Sequence, residues 1–143
     1  ALFLFTKAIL DGEPIQVFND GKMIRDFTYI DDIVSGIKGA ILHPSKATEI
    51  KNAKLKPSTS SAPYRIFNLG NNQPVALENF INAIEMSTGK KAIKEYLPMQ
   101  PGDVKKTFAN IDKAGESIGF VPSTSIEEGI KKFVDWYIKY YER

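Results

Sequence analysis

The sequence has no cysteine and a single histidine, His43, in its 143 residues. The absence of cysteine excludes disulfides and thiolate chemistry, and it agrees with a reducing cytoplasm, where we expect the protein to reside. One histidine without other ligands predicts no metal site. Because His43 precedes Pro44 at a predicted helix end, we expect it to stabilise that helix terminus.

A long apolar run and an excess of one charge sign are also missing. No apolar run reaches the roughly 20 residues that a membrane-spanning helix needs. Nineteen basic and seventeen acidic residues are interleaved and leave a net charge of +2. We therefore expect neither a nucleic acid nor a membrane as partner. A hydrophobic content of 43% instead predicts a globular domain with a buried core.

The motifs of common catalytic machineries are missing as well. The sequence contains no Gly-x-Gly-x-x-Gly phosphate-binding loop, no Gly-x-Ser-x-Gly elbow and no Tyr-x-x-x-Lys pair. It therefore predicts no catalytic and no cofactor-binding residue in this stretch. The apolar start, without an initiating methionine or preceding basic residues, predicts a buried helix cut from a longer chain rather than a signal peptide.

Apolar periodicity and turn residues predict alternating helices and strands in the first part of the chain. Residues 2–11 are apolar on nearly every side and predict a buried helix that stops at Gly12. Alternation predicts strands at Ile15–Phe18 and Met23–Thr28. The Asn-Asp-Gly turn between the two strands predicts that they pair as a hairpin.

A helix, an insertion and a strand are predicted next. Asp31 or Asp32 is expected to cap a helix that ends before Pro44. Residues 44–63 are rich in lysine, serine and threonine and predict a mobile surface insertion. Tyr64–Leu69 is rich in apolar residues and predicts a strand.

The second half of the sequence predicts three helices and two strands. Their order is a helix from Leu77 to Gly89, strands at Ala92–Leu97 and Thr107–Ala109, a helix at Asp112–Ile118, and a last amphipathic helix. A capping box of Thr124 and Glu127 is expected to start that last helix. Trp136 and the tyrosines around it are expected to serve packing.

The segment Arg25–Asp32 is the first candidate for chemistry, since it holds an arginine and three carboxylates. The pair Asp31 and Asp32 could serve acid–base chemistry or bind a metal, but helix capping explains one of them more simply. Two roles stay open for Arg25. It can present a fork to a phosphate group, or it can form a surface ion pair with Asp20 or Asp26.

The loop Pro98–Lys106 is the second candidate. Two prolines and a glycine fix an irregular backbone there, and such loops often carry ligands. Asp103 can accept hydrogen bonds from two vicinal hydroxyls, as a ribose offers, or it can simply close a turn. The residues alone leave both interpretations open.

Four segments together resemble the extended short-chain dehydrogenase/reductases, and most of all the UDP-glucuronate 4-epimerases. They are FTKAI (residues 5–9), RDFTYIDDI (25–33), PMQPGDV (98–104) and EEG with FVDWY (127–137). The resemblance implies an α/β fold in which this chain is the carboxyl-terminal, substrate-binding part. A helix and a strand of the chain would complete a Rossmann sheet formed upstream.

The same resemblance implies the reaction and its cofactor. NAD would be bound by an amino-terminal Rossmann domain that carries the glycine-rich loop and a Tyr-x-x-x-Lys pair. The tyrosine takes the sugar hydroxyl proton while NAD takes the hydride, and return of the hydride to the other face inverts C4. The full-length protein is expected to be a homodimer that interconverts UDP-glucuronate and UDP-galacturonate.

By resemblance, the substrate-binding residues are Gln16, Phe18, Arg25, Gln100 and Asp103. Backbone groups of Gln16 and Phe18 would meet uracil, with the Phe18 ring packed on the base. Arg25 would reach the diphosphate, and Asp103 would hold ribose hydroxyls. Many UDP-galactose 4-epimerases carry arginine where Gln100 stands. Glutamine is common in the glucuronate type, so this residue favours that assignment.

The resemblance assigns residues 1–143 to one UDP-sugar-binding region. Within it, residues 30–43 and 64–70 are expected to pack on the Rossmann domain. Contacts to the sugar lie mostly upstream in this family, so other functions stay open. They are a UDP-glucose or UDP-N-acetylglucosamine 4-epimerase, a nucleotide-sugar dehydratase or decarboxylase, and a non-catalytic binding module.

Overall fold

The structure is a computed structural model that describes residues 1–48 and 57–142. In chain order, its helices and strands are α1 (Leu2–Asp11), β1 (Pro14–Phe18), β2 (Ile24–Asp26), α2 (Ile30–Leu42), β3 (Pro74–Ala76), α3 (Leu77–Thr88), β4 (Ile93–Leu97), α4 (Asp112–Ile118) and α5 (Ile126–Tyr140). The predicted mixed α/β class is confirmed. None of the described helices is long and apolar enough to cross a membrane.

The chain divides into two compact units. The first consists of Ala1–Phe27, Gln73–Phe108 and Thr124–Arg143, and the second of Thr28–Asn72 and Ala109–Ser123. In the first unit, alternate residues of β1 and one face each of α1, α3 and α5 form the core. Its buried members include Ile9, Ile15, Val17, Phe80, Ile81, Ile84, Ile130 and Val134. The apolar residues that repeat every second residue in β1 and about every 3.6 residues in the helices are the residues that form this core.

The strands of the first unit pair differently from the sequence prediction. β1 runs parallel to β4, with Gln16 opposite Glu95 and Phe18 opposite Leu97, and β2 runs antiparallel to β3. The predicted hairpin of β1 with β2 is therefore wrong. Asn19, Asp20 and Gly21 all adopt positive φ, of 54°, 49° and 75°. They form a 3-10 turn, and the chain pairs β2 with another strand beyond it.

One predicted helix end is confirmed, and one predicted helix start is wrong. Gly12 ends α1 in the left-handed conformation with φ 74°, as predicted. The capping box at Thr124 and Glu127 is wrong by one residue, because the side chain of Ser125 accepts the hydrogen bond from the Glu128 amide at 3.1 Å. Thr124 is buried instead.

The start of α2 also differs from the prediction. The residue before its first turn is Tyr29, which makes no side-chain capping bond, and Asp31 and Asp32 lie inside that turn. Neither aspartate is the N-cap. Their charges still favour the positive end of the helix dipole. Asp32 is buried, and its Oδ1 accepts a hydrogen bond from the Ser123 amide at 3.1 Å.

The second unit packs α2 against α4. Gly36 and Gly39 allow a close approach, since a Cβ at Gly36 would lie 2.8 Å from Leu69 and one at Gly39 would collide with the backbone oxygen of Ile118. Phe120 joins the small core of this unit. At the end of α2, His43 Nδ1 lies 3.0 Å from the Gly39 oxygen, so His43 contacts the helix terminus as expected.

Two predicted strands are wrong. Within the described residues, Tyr64–Leu69 has no strand, only an isolated bridge between Thr59 and Arg65. Thr107–Ala109 likewise forms none, and the nearest pairing is a single bridge between Ile24 and Lys106. Apolar content favours an extended chain, but a ladder also needs a second edge in register.

The predicted mobile insertion at 44–63 is described only in part, because residues 49–56 lie outside the described residues. On either side of the gap, the Thr48 amide donates to the Ser60 oxygen at 2.9 Å. The mobility of this segment stays a prediction.

Candidate functional site

The carboxyl ends of β1 and β4 bring the two candidate segments together. Parallel strands place these ends at the same edge. β1 continues through the 3-10 turn into β2, which carries Arg25, and β4 continues into the loop that carries Asp103. The loop then runs beside β2, where the Ile24 amide donates to the Lys105 oxygen at 2.9 Å. Residues far apart in sequence therefore share one small region of the first unit.

Arg25 and Asp103 form an ion pair in this region. Nη2 of Arg25 lies 2.8 Å from Oδ1 of Asp103, and both side chains are about two-thirds to three-quarters buried, with exposed fractions of 26% and 34%. Nη1 of Arg25 donates to the backbone oxygens of Ile24 at 3.0 Å and Lys105 at 3.3 Å. Because both terminal nitrogens are bonded, the guanidinium group is fixed in position.

The prediction of a surface ion pair between Arg25 and Asp20 or Asp26 is wrong about the partner. Asp20 lies 3.8 Å from the Lys22 ammonium, and Asp26 Oδ1 accepts a long hydrogen bond from the Gln73 amide at 3.4 Å. Arg25 instead pairs with a residue 78 positions away. A partner at that separation depends on the fold and could not be deduced from local spacing.

Asp103 closes a turn and keeps one carboxylate oxygen for other use. Its Oδ1 accepts from Arg25 and from the Val104 amide at 2.9 Å. Its amide donates to the Gln100 oxygen at 3.2 Å across Gly102, whose φ is 83°. Within the described part of the chain, Oδ2 of Asp103 accepts no hydrogen bond. The two interpretations of Asp103 are therefore compatible.

Gln16 and Phe18 lie on the face of β1 opposite the core. Gln16 is exposed and Phe18 half-buried, while the residues between and before them are buried. In the parallel register, Glu95 lies beside Gln16 and Leu97 beside Phe18. Since Gln16 and Phe18 are two residues apart, their backbone groups point to the same edge of β1. Gln100 is exposed on the loop, and its side chain makes no hydrogen bond to these residues in the part of the chain that the structure describes.

A polar cluster that the sequence did not reveal lies behind this region. Lys94 Nζ lies 2.6 Å from Oε2 of Glu78, and the Tyr96 hydroxyl donates to Oε1 of Glu78 at 3.1 Å. Burial alone would lower the pKa of Lys94, but the hydrogen bond and charge of Glu78 outweigh it and raise that pKa. Partial desolvation and the bond to Glu78 raise the pKa of Tyr96. The sequence signal was weak, since a glutamate in a first helical turn usually serves the helix dipole.

A second carboxylate–lysine pair lies on the same helix, farther along. Glu85 is almost fully buried and sits 2.6 Å from the exposed Lys91 ammonium. It also accepts from the Ala92 amide at 2.9 Å. Burial tends to raise the pKa of Glu85, but the bonds from Lys91 and Ala92 overcome this and leave the pKa below its ordinary value. The carboxylate is therefore held ionised.

The described residues do not provide a dinucleotide cradle or a metal site. The residues that precede the five helices are Ala1, Tyr29, Ala76, Ile111 and Ser125, so none of these helices begins after a glycine-rich turn of the kind that binds pyrophosphate. No group of three His, Asp or Glu within residues 1–48 and 57–142 could hold a metal ion.

Comparison with known proteins gives the family. The family described as GDP-mannose 4,6 dehydratase matches residues 2–133. Protein CapI of Staphylococcus aureus is 49% identical over 144 residues, which cover 100% of this chain and 43% of CapI. A probable UDP-glucuronate 4-epimerase of Rhizobium meliloti (strain 1021) is 44% identical over 145 residues, which cover 100% of this chain and 42% of the relative. The chain thus spans less than half the length of these relatives.

A solved structure agrees with the fold. The UDP-glucuronic acid 4-epimerase of Bacillus cereus, in complex with UDP-glucuronic acid and NAD, matches with a TM-score of 0.77 and 30% identity, over 99% of this chain and 40% of that one. This fold is that of the extended short-chain dehydrogenase/reductases. Within that class, the chain belongs to the family described as GDP-mannose 4,6 dehydratase, and its relatives include NAD-dependent nucleotide-sugar epimerases.

Proposed function

We propose that this chain is the UDP-binding part of an NAD-dependent UDP-glucuronate 4-epimerase, which interconverts UDP-glucuronate and UDP-galacturonate. The observation that carries the proposal is the Arg25–Asp103 pair at 2.8 Å, formed by the segments that follow β1, which bears Gln16 and Phe18, and β4. In this pair, the fixed guanidinium of Arg25 can bind a phosphate group, and the second carboxylate oxygen of Asp103 can accept hydrogen bonds from a ribose. The relatives named above support the epimerase assignment.

The base would lie on the outward face of β1. Phe18 is half-buried and offers a ring on which a pyrimidine can pack, and Leu97 occupies the neighbouring register position. Backbone groups of Gln16 and Phe18 share one strand edge and would bond the uracil together. A planar apolar contact combined with backbone bonds suits a base with both donors and acceptors.

The diphosphate and ribose would follow toward β2. Arg25 keeps its bond to Asp103 and, without moving, presents the outer edge of its guanidinium to the diphosphate, while Oδ2 of Asp103 accepts from the ribose hydroxyls. Gln100 brings no charge to the phosphates. Lys105 and Lys106 can supply cations nearby, although the Lys106 ammonium also lies 5.2 Å from the centre of the Phe108 ring.

The remaining parts of the proposal concern the longer protein. NAD and the proton-transferring Tyr-x-x-x-Lys pair would belong to its amino-terminal Rossmann domain, and the protein would act as a cytoplasmic homodimer. Residues 30–43 and 64–70 would pack on that domain. The outward side of α2 supports this assignment, because Ile37, Ile41 and Leu42 are exposed, and so are Tyr64 and Ile66.

The isolated 143-residue chain is therefore expected to self-associate through this apolar surface. Ile41 is 74% exposed, so Ile41→Lys should fold normally and shift the chain toward monomer in sedimentation velocity. The control is Met86→Lys, since Met86 is 82% exposed but belongs to the first unit. It should leave self-association unchanged. A parent chain that sediments as a stable monomer would contradict the packing assigned to residues 30–43 and 64–70.

The nucleotide-binding claim is tested by calorimetry on the chain carrying Ile41→Lys. UDP should bind, and uridine should bind at least about tenfold more weakly, because it lacks the diphosphate that meets Arg25. GDP carries the same diphosphate on a larger base and should also bind more weakly than UDP. Equal affinity for UDP and GDP would rule out a uracil site, and no binding of any of the three would rule out the proposed function.

A further inference from the structure

The cluster of Glu78, Lys94 and Tyr96 lies next to the turn that joins the two ends of the candidate site. Glu78 lies in the first turn of α3, which follows β3 directly, and Lys94 and Tyr96 lie on β4. Oε1 of Glu78 comes so near Gly21 that a Cβ there would lie 2.7 Å from it. Gly21 has a φ of 75° and is buried, and its backbone therefore lies close to the carboxylate.

The position of this cluster is unusual for a pair that only adds stability. Lys94 stands opposite Ile15, and its side chain is 20% exposed while that of Glu78 is 37% exposed. Because Glu78 is more than one-third exposed, solvent screens the attraction between the two charges, and the pair adds little stability. A charged pair instead fixes the relative positions of its two side chains, because ionic hydrogen bonds have defined distances and directions.

The charged pair fixes the position of the turn that connects two residues proposed to bind the ligand. Phe18 is the last residue of β1, the turn spans Asn19–Gly21, and Arg25 follows on β2. β4 holds β1 by its ladder and holds Glu78 by Lys94. A shift of Glu78 would therefore move the turn and change the distance between the base-packing ring and the phosphate-binding guanidinium.

We propose that Glu78, held by Lys94 and Tyr96, is a positioning residue that sets the spacing between Phe18 and Arg25 for a nucleoside diphosphate. The inference rests on the proposed function and deepens it. Glu78 touches no ligand itself. It acts through the backbone of Gly21, whose φ of 75° strains any residue that carries a side chain there.

The test is the affinity of the chain for UDP after Glu78→Gln, measured by calorimetry together with thermal unfolding. Glutamine keeps the size of the side chain but loses the charge that holds Lys94. We expect the dissociation constant for UDP to rise about tenfold in a folded protein. Tyr96→Phe removes only the 3.1 Å bond to Glu78 at an exposed position, and it should raise the constant less.

Glu85→Gln is the matched control. It breaks a carboxylate–lysine contact of the same 2.6 Å length on the same helix, away from the turn. It should lower the unfolding temperature and leave the dissociation constant for UDP unchanged. Lys94→Arg, which keeps the charge, should retain more UDP affinity than Lys94→Met.

Two failures can be told apart. A parent chain that does not bind UDP would overturn the proposed function. If the parent binds UDP and both Glu78→Gln and Tyr96→Phe bind it equally well while folded, only the positioning role is overturned. If Glu78→Gln does not fold, Tyr96→Phe decides, and an unchanged dissociation constant in that variant counts against the inference.

Discussion

Replacing Arg25 by alanine is expected to weaken UDP binding to the complete protein by about 1.5–3 kcal/mol, or roughly 10- to 150-fold. This is the scale of a charge-assisted hydrogen bond. Arg25 is fixed by Asp103 and two backbone oxygens before any ligand arrives, so little side-chain entropy is lost on binding. Arg25→Lys keeps the charge but loses the planar fork, and it should restore only part of the affinity.

The affinity for uridine distinguishes the loss of a phosphate contact from a general disturbance of the binding site. Because uridine has no diphosphate, Arg25→Ala should change its binding much less than that of UDP. Arg65→Ala is the control, since among the described residues the Arg65 guanidinium donates to the backbone oxygen of Tyr64 alone, in the second unit. Unchanged UDP affinity of Arg25→Ala, with unchanged thermal unfolding, would mean that Arg25 serves only its ion pair with Asp103.

The 143-residue chain alone is expected to show no epimerase turnover. Epimerisation at C4 needs a group that removes a hydroxyl proton and a bound dinucleotide that takes the hydride. The sequence has no Tyr-x-x-x-Lys pair and no glycine-rich loop. Incubation with UDP-glucuronate and NAD, followed by NMR, should therefore show substrate only. Formation of UDP-galacturonate by the purified chain would show that it holds catalytic groups which neither sequence nor fold indicates.

Helices were predictable from the sequence because their signals are local. The stripe on α3 and the glycine after α1 lie within one element, and the structure has both where expected. Strand pairing was not predictable in the same way. The residues Asn19-Asp20-Gly21 correctly predicted positive φ angles, but a turn does not determine which strand pairs with β1. The partner of β1 is β4, more than 70 residues away, and long-range packing selects it.

Capping illustrates a smaller limit. Thr124 with Glu127 and Ser125 with Glu128 both fit the same capping-box pattern, so the sequence allows two helix starts one residue apart. Burial of Thr124 leaves Ser125 as the residue that caps. A pattern of this kind predicts that a helix starts, and packing decides where.

The candidate site was predicted residue by residue but not as an assembly. Arg25 and Asp103 were identified for their chemistry, yet their contact at 2.8 Å follows only from the path of β4 and its loop along β2. The cluster behind the turn was missed altogether. Lys94 and Glu78 each look like ordinary surface residues until the register of β4 places them together.

The central claim is tested most directly by giving the complete protein UDP-glucuronate and following the products by NMR and the absorbance of NADH. We expect UDP-galacturonate to accumulate to an equilibrium mixture without net release of NADH, and to form faster than UDP-galactose forms from UDP-glucose. Faster turnover of UDP-glucose would replace the glucuronate assignment by a UDP-glucose 4-epimerase. No interconversion of either UDP-sugar by folded protein with NAD bound would contradict the account.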